Sequence, residues 1–238
     1  MKSVTRKLLK SFGYEIRRAE KDIVKPFNVL ELLIRDYLSR TNNFFFIQIG
    51  ANDGISSDEL NPIIFKYHLR GLLVEPVPCY FKKLKETYSK ESQLLFENCA
   101  VFEKDGFTKV YYFKPESPIP EWCFGMASLN RRHLTKFEDS EGYSRYIDEV
   151  QIPALTFSRL ITKHNIGKVS LLHIDTEGYD YEVIKMVFGC GCFPDIIKYE
   201  NQHLSSRDVY ECKKLLDFNE YSFIDYAIDT IAVKTDLA

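Results

Sequence analysis

The stretch Phe44-Phe45-Phe46-Ile47-Gln48-Ile49-Gly50-Ala51-Asn52-Asp53-Gly54 constrains the fold more than any other part of the chain. Its first half is almost continuously apolar, which marks a buried strand. Gly50 and Gly54 bound a turn, and the polar pair Ser56-Ser57 reads as the start of a helix. Twenty-one residues beyond Gly54, the apolar run Leu72-Leu73-Val74 ends in Glu75. A strand, a glycine turn, a helix and a second strand tipped by an acid is how an α/β fold grips a nucleoside. Glycine lets the backbone approach the ligand, and the carboxylate accepts the hydrogens of both ribose hydroxyls.

The glycine spacing narrows the cofactor. A dinucleotide needs a middle glycine so that the backbone can approach the pyrophosphate, and Asn52 stands there in Gly50-x-x-x-Gly54. NAD and FAD are therefore disfavoured, whereas S-adenosylmethionine has no phosphate and tolerates a side chain. The same residues also suit an ordinary strand-to-helix turn, because Gly, Asn and Asp are common turn residues. The acid at position 75 favours the nucleoside reading.

A length of 238 residues fits one domain with an extension, and 45% hydrophobic residues supply its core. No apolar run approaches the ~20 residues that span a bilayer, and no secretory signal is evident. The six cysteines form no C-x-x-C pair; Cys190-Gly-Cys192 is the only close pair. They read as small buried apolar residues in a reducing cytoplasm. A net charge of -2 argues against non-specific nucleic-acid binding. Basic residues nonetheless gather at the start, where Lys2, Arg6, Lys7, Lys10, Arg17, Arg18 and Lys21 surround Val4, Leu8, Leu9 and Phe12 at helical spacing. Residues 1–26 are expected to be a basic amphipathic extension, with 1–22 either lying peripherally on an anionic membrane surface or forming a solvated or docked tail.

Residues 27–238 read as one α/β domain. A helix is expected over 27–38, a strand over 44–49 and a helix over 57–69. The second strand, 72–75, stops at Pro76-Val77-Pro78, and the next helix covers 81–88. Strand three spans 94–101, and Asp105-Gly106 signals a hairpin whose partner, 108–113, pairs back as an extra strand. Residues 114–149 are irregular and fit a lid or acceptor-binding insertion. A short strand at 150–153 and a helix near 156–164 precede strand four (169–174), a helix from Tyr181, strand five (196–199) and a helix at 206–217. Strands one to five alternate with helices and so must run parallel. The closing strands, 221–224 and 230–233, leave no room for a helix between them and form an antiparallel hairpin. The sheet is thus mostly parallel and doubly wound, with helices on both faces.

Ligands of such sheets bind beyond the carboxyl ends of the strands. Those ends carry Gln48 to Gly54, Glu75, Asn98 to Val101, Asp175-Thr176-Glu177-Gly178 and Glu200-Asn201-Gln202-His203. Asp175, Glu200 and His203 are candidates for a general base. Asp175, Glu177 and Glu200 could also hold a divalent cation. Glu177 equally suits a first-turn helix acid, as does Asp180. His173, inside strand four, reads as a satisfied core residue.

The ordered segments I-Q-I-G-A-N-D-G (47–54), L-L-V-E-P-V-P (72–78), N-C-A-V (98–101), I-P-A-L-T-F (152–157) and L-L-H-I-D-T-E-G-Y-D (171–180) resemble FkbM-type methyltransferases. The likeness runs from about residue 42 to 234. It implies a class I Rossmann-like fold that binds S-adenosylmethionine and methylates oxygen. By position, Gln48, Gly50, Ala51, Asn52, Asp53 and Gly54 would surround the methionine moiety. Glu75 would hold the ribose, Asn98, Cys99 and Ala100 would border the adenine, and Asp175 would face the reacting centre. Gln48 departs from the acid that many methyltransferases place near the cofactor amino group, although its carbonyl can still accept from an ammonium. Family members often act on sugars, glycolipids or natural products, so polysaccharide biosynthesis in the cytoplasm is the expected setting. A catalytically inactive scaffold in surface-glycan assembly is the alternative.

Overall fold

The computed structural model describes residues 28–135 and 142–235, the side chain of Trp122 excepted. The basic extension lies outside them. Strand β1 (Phe45–Ile49) sits mid-sheet between β2 (Arg70–Val74) and β8 (Leu171–Ile174), parallel to both. The remaining strands are β3 (Leu94–Glu97), β9 (Ile196–Glu200), β10 (Tyr221–Tyr226) and β11 (Asp229–Lys234). The sheet order is β10-β11-β9-β8-β1-β2-β3, with β11 antiparallel to both β10 and β9. The closing hairpin is therefore present on a mostly parallel, doubly wound sheet.

Both faces of β1 are covered, which is why its sequence is apolar at every position but Gln48. On one face Phe46 packs with Leu30 and Ile34 of α1 (Val29–Arg40), Ile63 and Ile64 of α2 (Asn61–Tyr67), and Leu84 of α3 (Pro78–Thr87). Asn28 caps α1 by accepting from the Glu31 N–H at 2.8 Å. On the other face Ile47 and Ile49 meet helices that follow later in the chain. These are α5 (Phe157–Lys163), α6 (Asp180–Gly189) and α7 (Ser206–Phe218).

Three expectations need correction. The helix expected from Ser57 begins only at Asn61, because Pro62 fits no position beyond the first helical turn. The single strand expected over 94–101 breaks after Glu97: Asn98 turns its amide onto the carbonyls of Glu75 and Pro76, and β4 (Ala100–Val101) joins a second sheet. The Asp105-Gly106 turn does not make a local hairpin. Strand β5 (Gly106–Phe113) pairs along its whole length with β7 (Ile147–Leu155), which lies between β4 and β5. Asp105 instead accepts from the backbone and hydroxyl of Thr156. The long β7 offers eight partners where β4 could offer two. β6 (Ala127–Ser128) completes this four-stranded sheet, and α4 (Arg131–Thr135) follows it.

Candidate functional site

A cavity of about 440 Å³ opens over the carboxyl ends of β1, β2 and β8. Its floor is the main sheet, and residues 121 and 124–129 of the insertion form the facing wall. The insertion is pinned there because the Gly125 N–H donates to the Tyr80 hydroxyl at 3.0 Å.

The glycine turn is shaped by close approach. Gly50 has φ +84°, and a β-carbon on it would lie 1.7 Å from the carbonyl oxygen of Asp175. Glu75 fastens the turn to β2: its carboxylate accepts from the N–H groups of Asn52 and Val77, both at 2.8 Å. Burial pushes the Glu75 pKa up to about 7 despite those bonds.

Several buried polar atoms beside the cavity have no partner, namely Gln48 Oε1, Asn52 Oδ1, Asp58 Oδ2 and His173 Nδ1. Gln48, His173 and Lys198 stand side by side on three neighbouring strands. The Gln48 side chain lies against Asp58, whose pKa burial raises. His173 is thus a cavity residue rather than a satisfied core one. Burial and the nearby Lys198 ammonium hold its pKa well below the usual value, so the ring is neutral at pH 7.

Of the expected site residues, Gln48, Gly50, Asn52, Glu75, Cys99, Ala100, Asp175 and Glu177 line the cavity. Ala51, Asp53, Gly54 and Asn98 do not; they build the turn behind it. Ala51 is buried in the core. Burial works to raise the Asp53 pKa, but hydrogen bonds from Ile55 and Ser56 outweigh it and hold it below the usual value. Gly54 accepts from the Asn61 amide, and Asn98 braces the Glu75-Pro76 corner.

Behind Asp175 lies a knot of acids. Asp175 is open to the cavity and enclosed by protein elsewhere; loss of solvation, then Glu177 and Asp180, raise its pKa well above the carboxylate range. Burial, with Asp175, Glu177 and Asp180 adding to it, pushes Glu200 up to about 9. Asp180 is no mere first-turn acid. Fully buried, it accepts from the Thr176 hydroxyl at 2.7 Å and the Glu200 N–H at 3.2 Å, joining the ends of β8 and β9. Burial raises it to about 6.

Glu200 and His203 sit just beyond the cavity wall. His203 Nε2 is 3.5 Å from Glu200 Oε1 and 3.2 Å from Glu177 Oε2, and His133 Nε2 is also 3.2 Å from Glu177 Oε2. The expected metal set of Asp175, Glu177 and Glu200 is therefore not the one that converges. Among the described residues the donor atoms that come together belong to His133, Glu177 and His203. Sequence reading missed His133, Asp58 and the cavity role of His173. His133 and His203 are seventy residues apart and leave no local spacing to find.

The glycine turn and the acid-tipped β2 fall within the residues that a family model matches. The model of the methyltransferase FkbM domain matches residues 48–224. The chain belongs to the FkbM methyltransferase family. S-adenosylmethionine is the methyl donor that this class uses, and the orphaned acceptors around the cavity fit its ammonium and hydroxyl donors. No protein of curated function matches this FkbM chain. Among solved structures, an FkbM methyltransferase from Methylobacillus flagellatus KT is similar at 14% identity and TM-score 0.49, over 82% of this chain and 45% of that one. This chain thus spans less than half of that protein. A fibrillarin pre-rRNA processing protein from Methanococcus jannaschii matches at 8% identity and TM-score 0.42, over 80% of this chain and 66% of that one. A precorrin-6y C5,15-methyltransferase from Geobacter metallireducens GS-15 matches at 11% identity and TM-score 0.43, over 92% and 93%.

Proposed function

We propose that this FkbM protein is an O-methyltransferase acting on a hydroxyl of a carbohydrate, glycolipid or similar small polar acceptor. The observation that carries the reading is the cavity itself, where Gln48, Asn52 and Asp58 each leave a buried acceptor atom open beside Glu75. Bound there, S-adenosylmethionine supplies an electrophilic methyl group. The acceptor atoms of Gln48 and Asp58 suit its ammonium, which answers the departure at position 48: the acid stands ten residues on. Glu75 suits the ribose hydroxyls, and Cys99, Ala100 and Val101 suit the adenine. A hydroxyl must lose its proton as the new bond forms, and Asp175, with its raised pKa, is the cavity carboxylate placed to take it. Glu200 and His203, the other two candidate bases, lie just beyond the cavity wall, 3.5 Å from each other. Most of the remaining catalysis is positioning, which falls to the insertion wall.

The negative net charge supports a small acceptor over a nucleic acid. Among the described residues no helix is long and apolar enough to cross a membrane. Cytoplasmic residence, with residues 1–22 touching an anionic surface, remains part of the proposal. Liposome sedimentation with and without that segment tests it.

Isothermal titration with S-adenosylmethionine, S-adenosylhomocysteine and NAD tests the main reading. Binding of the first two and not the third is the expected result. A folded protein that binds none of them would favour the scaffold alternative.

A further inference from the structure

We infer that His133, Glu177 and His203 form a binding site for a divalent transition-metal ion at the acceptor end of the cavity. The three residues come from separate parts of the fold: α4 in the insertion, the loop after β8 and the loop after β9. One donor atom from each lies within 4.8 Å of the others. Glu177 Oε2 is 3.2 Å from both imidazole Nε2 atoms. Ligand bonds of about 2.0–2.2 Å place neighbouring donors on one ion roughly 3.0–3.5 Å apart, so this spacing suits a shared ion. The His133–Glu177 contact is also a hydrogen bond of ordinary length, which holds these two donors in place beside each other.

Glu200 is the independent second observation. It is 8% exposed, its Oε2 has no hydrogen-bond partner, and its Oε1 lies 3.5 Å from His203 Nε2. A buried carboxylate oxygen without a donor is costly, and a cation beside His203 would offset the charge of this carboxylate, whose Oε1 is the oxygen facing the histidine. The mixture of two imidazoles with carboxylate oxygen selects zinc, cobalt, iron or manganese over magnesium or calcium, which prefer all-oxygen sites. The Ser128 hydroxyl donates to the Glu177 carbonyl at 3.1 Å, which anchors the loop under the insertion.

Glu177 also lines the cavity, so an ion held there faces whatever the cavity holds. Resting on the methyltransferase reading above, this narrows the acceptor class to molecules that chelate through oxygen, such as vicinal diols or hydroxy acids.

The test uses untagged full-length protein, stripped with a chelator and titrated with Co²⁺ followed by visible absorption. Titration with S-adenosylmethionine on the same samples reads the cofactor site separately. One equivalent of Co²⁺ is expected. His133→Ala or His203→Ala should weaken it by at least about a hundredfold, since losing even an outer partner of a metal costs up to that much. His164→Ala, remote from the site and bonded to Glu97, should leave it unchanged. Should an alanine variant fail to fold, Glu177→Gln, of the same shape as the native residue, carries the comparison. Absence of saturable Co²⁺ binding, or equal affinity in the folded variants, would overturn the site. Retained Co²⁺ binding without cofactor binding would support the site and count against the proposed function instead.

Discussion

Gly50 lies directly against the backbone of Asp175. Only hydrogen fits between the first glycine turn and the loop that carries the candidate base, because a β-carbon would fall 1.7 Å from the Asp175 carbonyl oxygen. The two loops are therefore one unit. Gly50→Ala must either move Asp175 or break the turn, and its φ of +84° adds backbone strain. We expect a loss of at least about 2 kcal/mol in stability, at the scale of such strain, together with loss of cofactor binding. Denaturant unfolding measures it; an unchanged midpoint would show that the close approach is not maintained in solution.

Asp175→Asn keeps the side-chain shape and removes the proposed base. Turnover should fall by about 10²–10⁴-fold, the usual contribution of a positioned base, while cofactor affinity changes little. Turnover near that of the wild type would take the role from Asp175.

Glu75 gives a pH signature. Its pKa in the fold is about 7, above the ordinary carboxylate value, because burial penalises the charge. Between about pH 4.5 and 7 the native state holds a proton that the unfolded state has lost, so stability from this group falls as pH rises through that window. Cofactor affinity should move the opposite way. In its proposed role an ionised Glu75 accepts from both ribose hydroxyls, so S-adenosylmethionine should bind more tightly as pH rises through about 7. Glu75→Ala should weaken binding and Glu75→Gln should flatten the profile. A wild-type affinity that is constant from pH 6 to 8 would argue against the ribose role.

Gly125→Ala probes the insertion. Gly125 has φ +100°, and a β-carbon there would sit 2.2 Å from the Asn52 side-chain nitrogen. Either Asn52 swings away or the insertion lifts. With the fold retained, we expect cofactor affinity to drop about tenfold, equivalent to roughly 1.4 kcal/mol. Calorimetric titration beside a circular-dichroism melt separates this from unfolding.

Asp180→Ala should cost about 2–3 kcal/mol, since it leaves the buried Glu200 N–H without its acceptor and frees the Thr176 hydroxyl. Thermal unfolding is the measurement. A loss below half a kcal/mol would mean that water replaces the carboxylate and that the β8 and β9 ends are not tied through Asp180.

The sequence by itself determined the order of elements in the main sheet, its parallel core and the closing hairpin. Those follow from local signals: apolar runs, glycine turns and the number of residues between strands. It also placed Gly50, Asn52, Glu75 and Asp175 at strand ends, where open sheets hold their ligands. What tertiary structure alone decided is how distant segments meet. Residues 94–101 look like one strand until Asn98 finds the Glu75-Pro76 carbonyls and β7 inserts itself between β4 and β5. His173 looks like core until the cavity opens beside it. Asp58 lies in a loop with no motif, yet it stands against Gln48. His133 joins Glu177 and His203 only because the insertion folds back over the sheet. Such contacts depend on side chains brought together from far along the chain, and no periodicity records them.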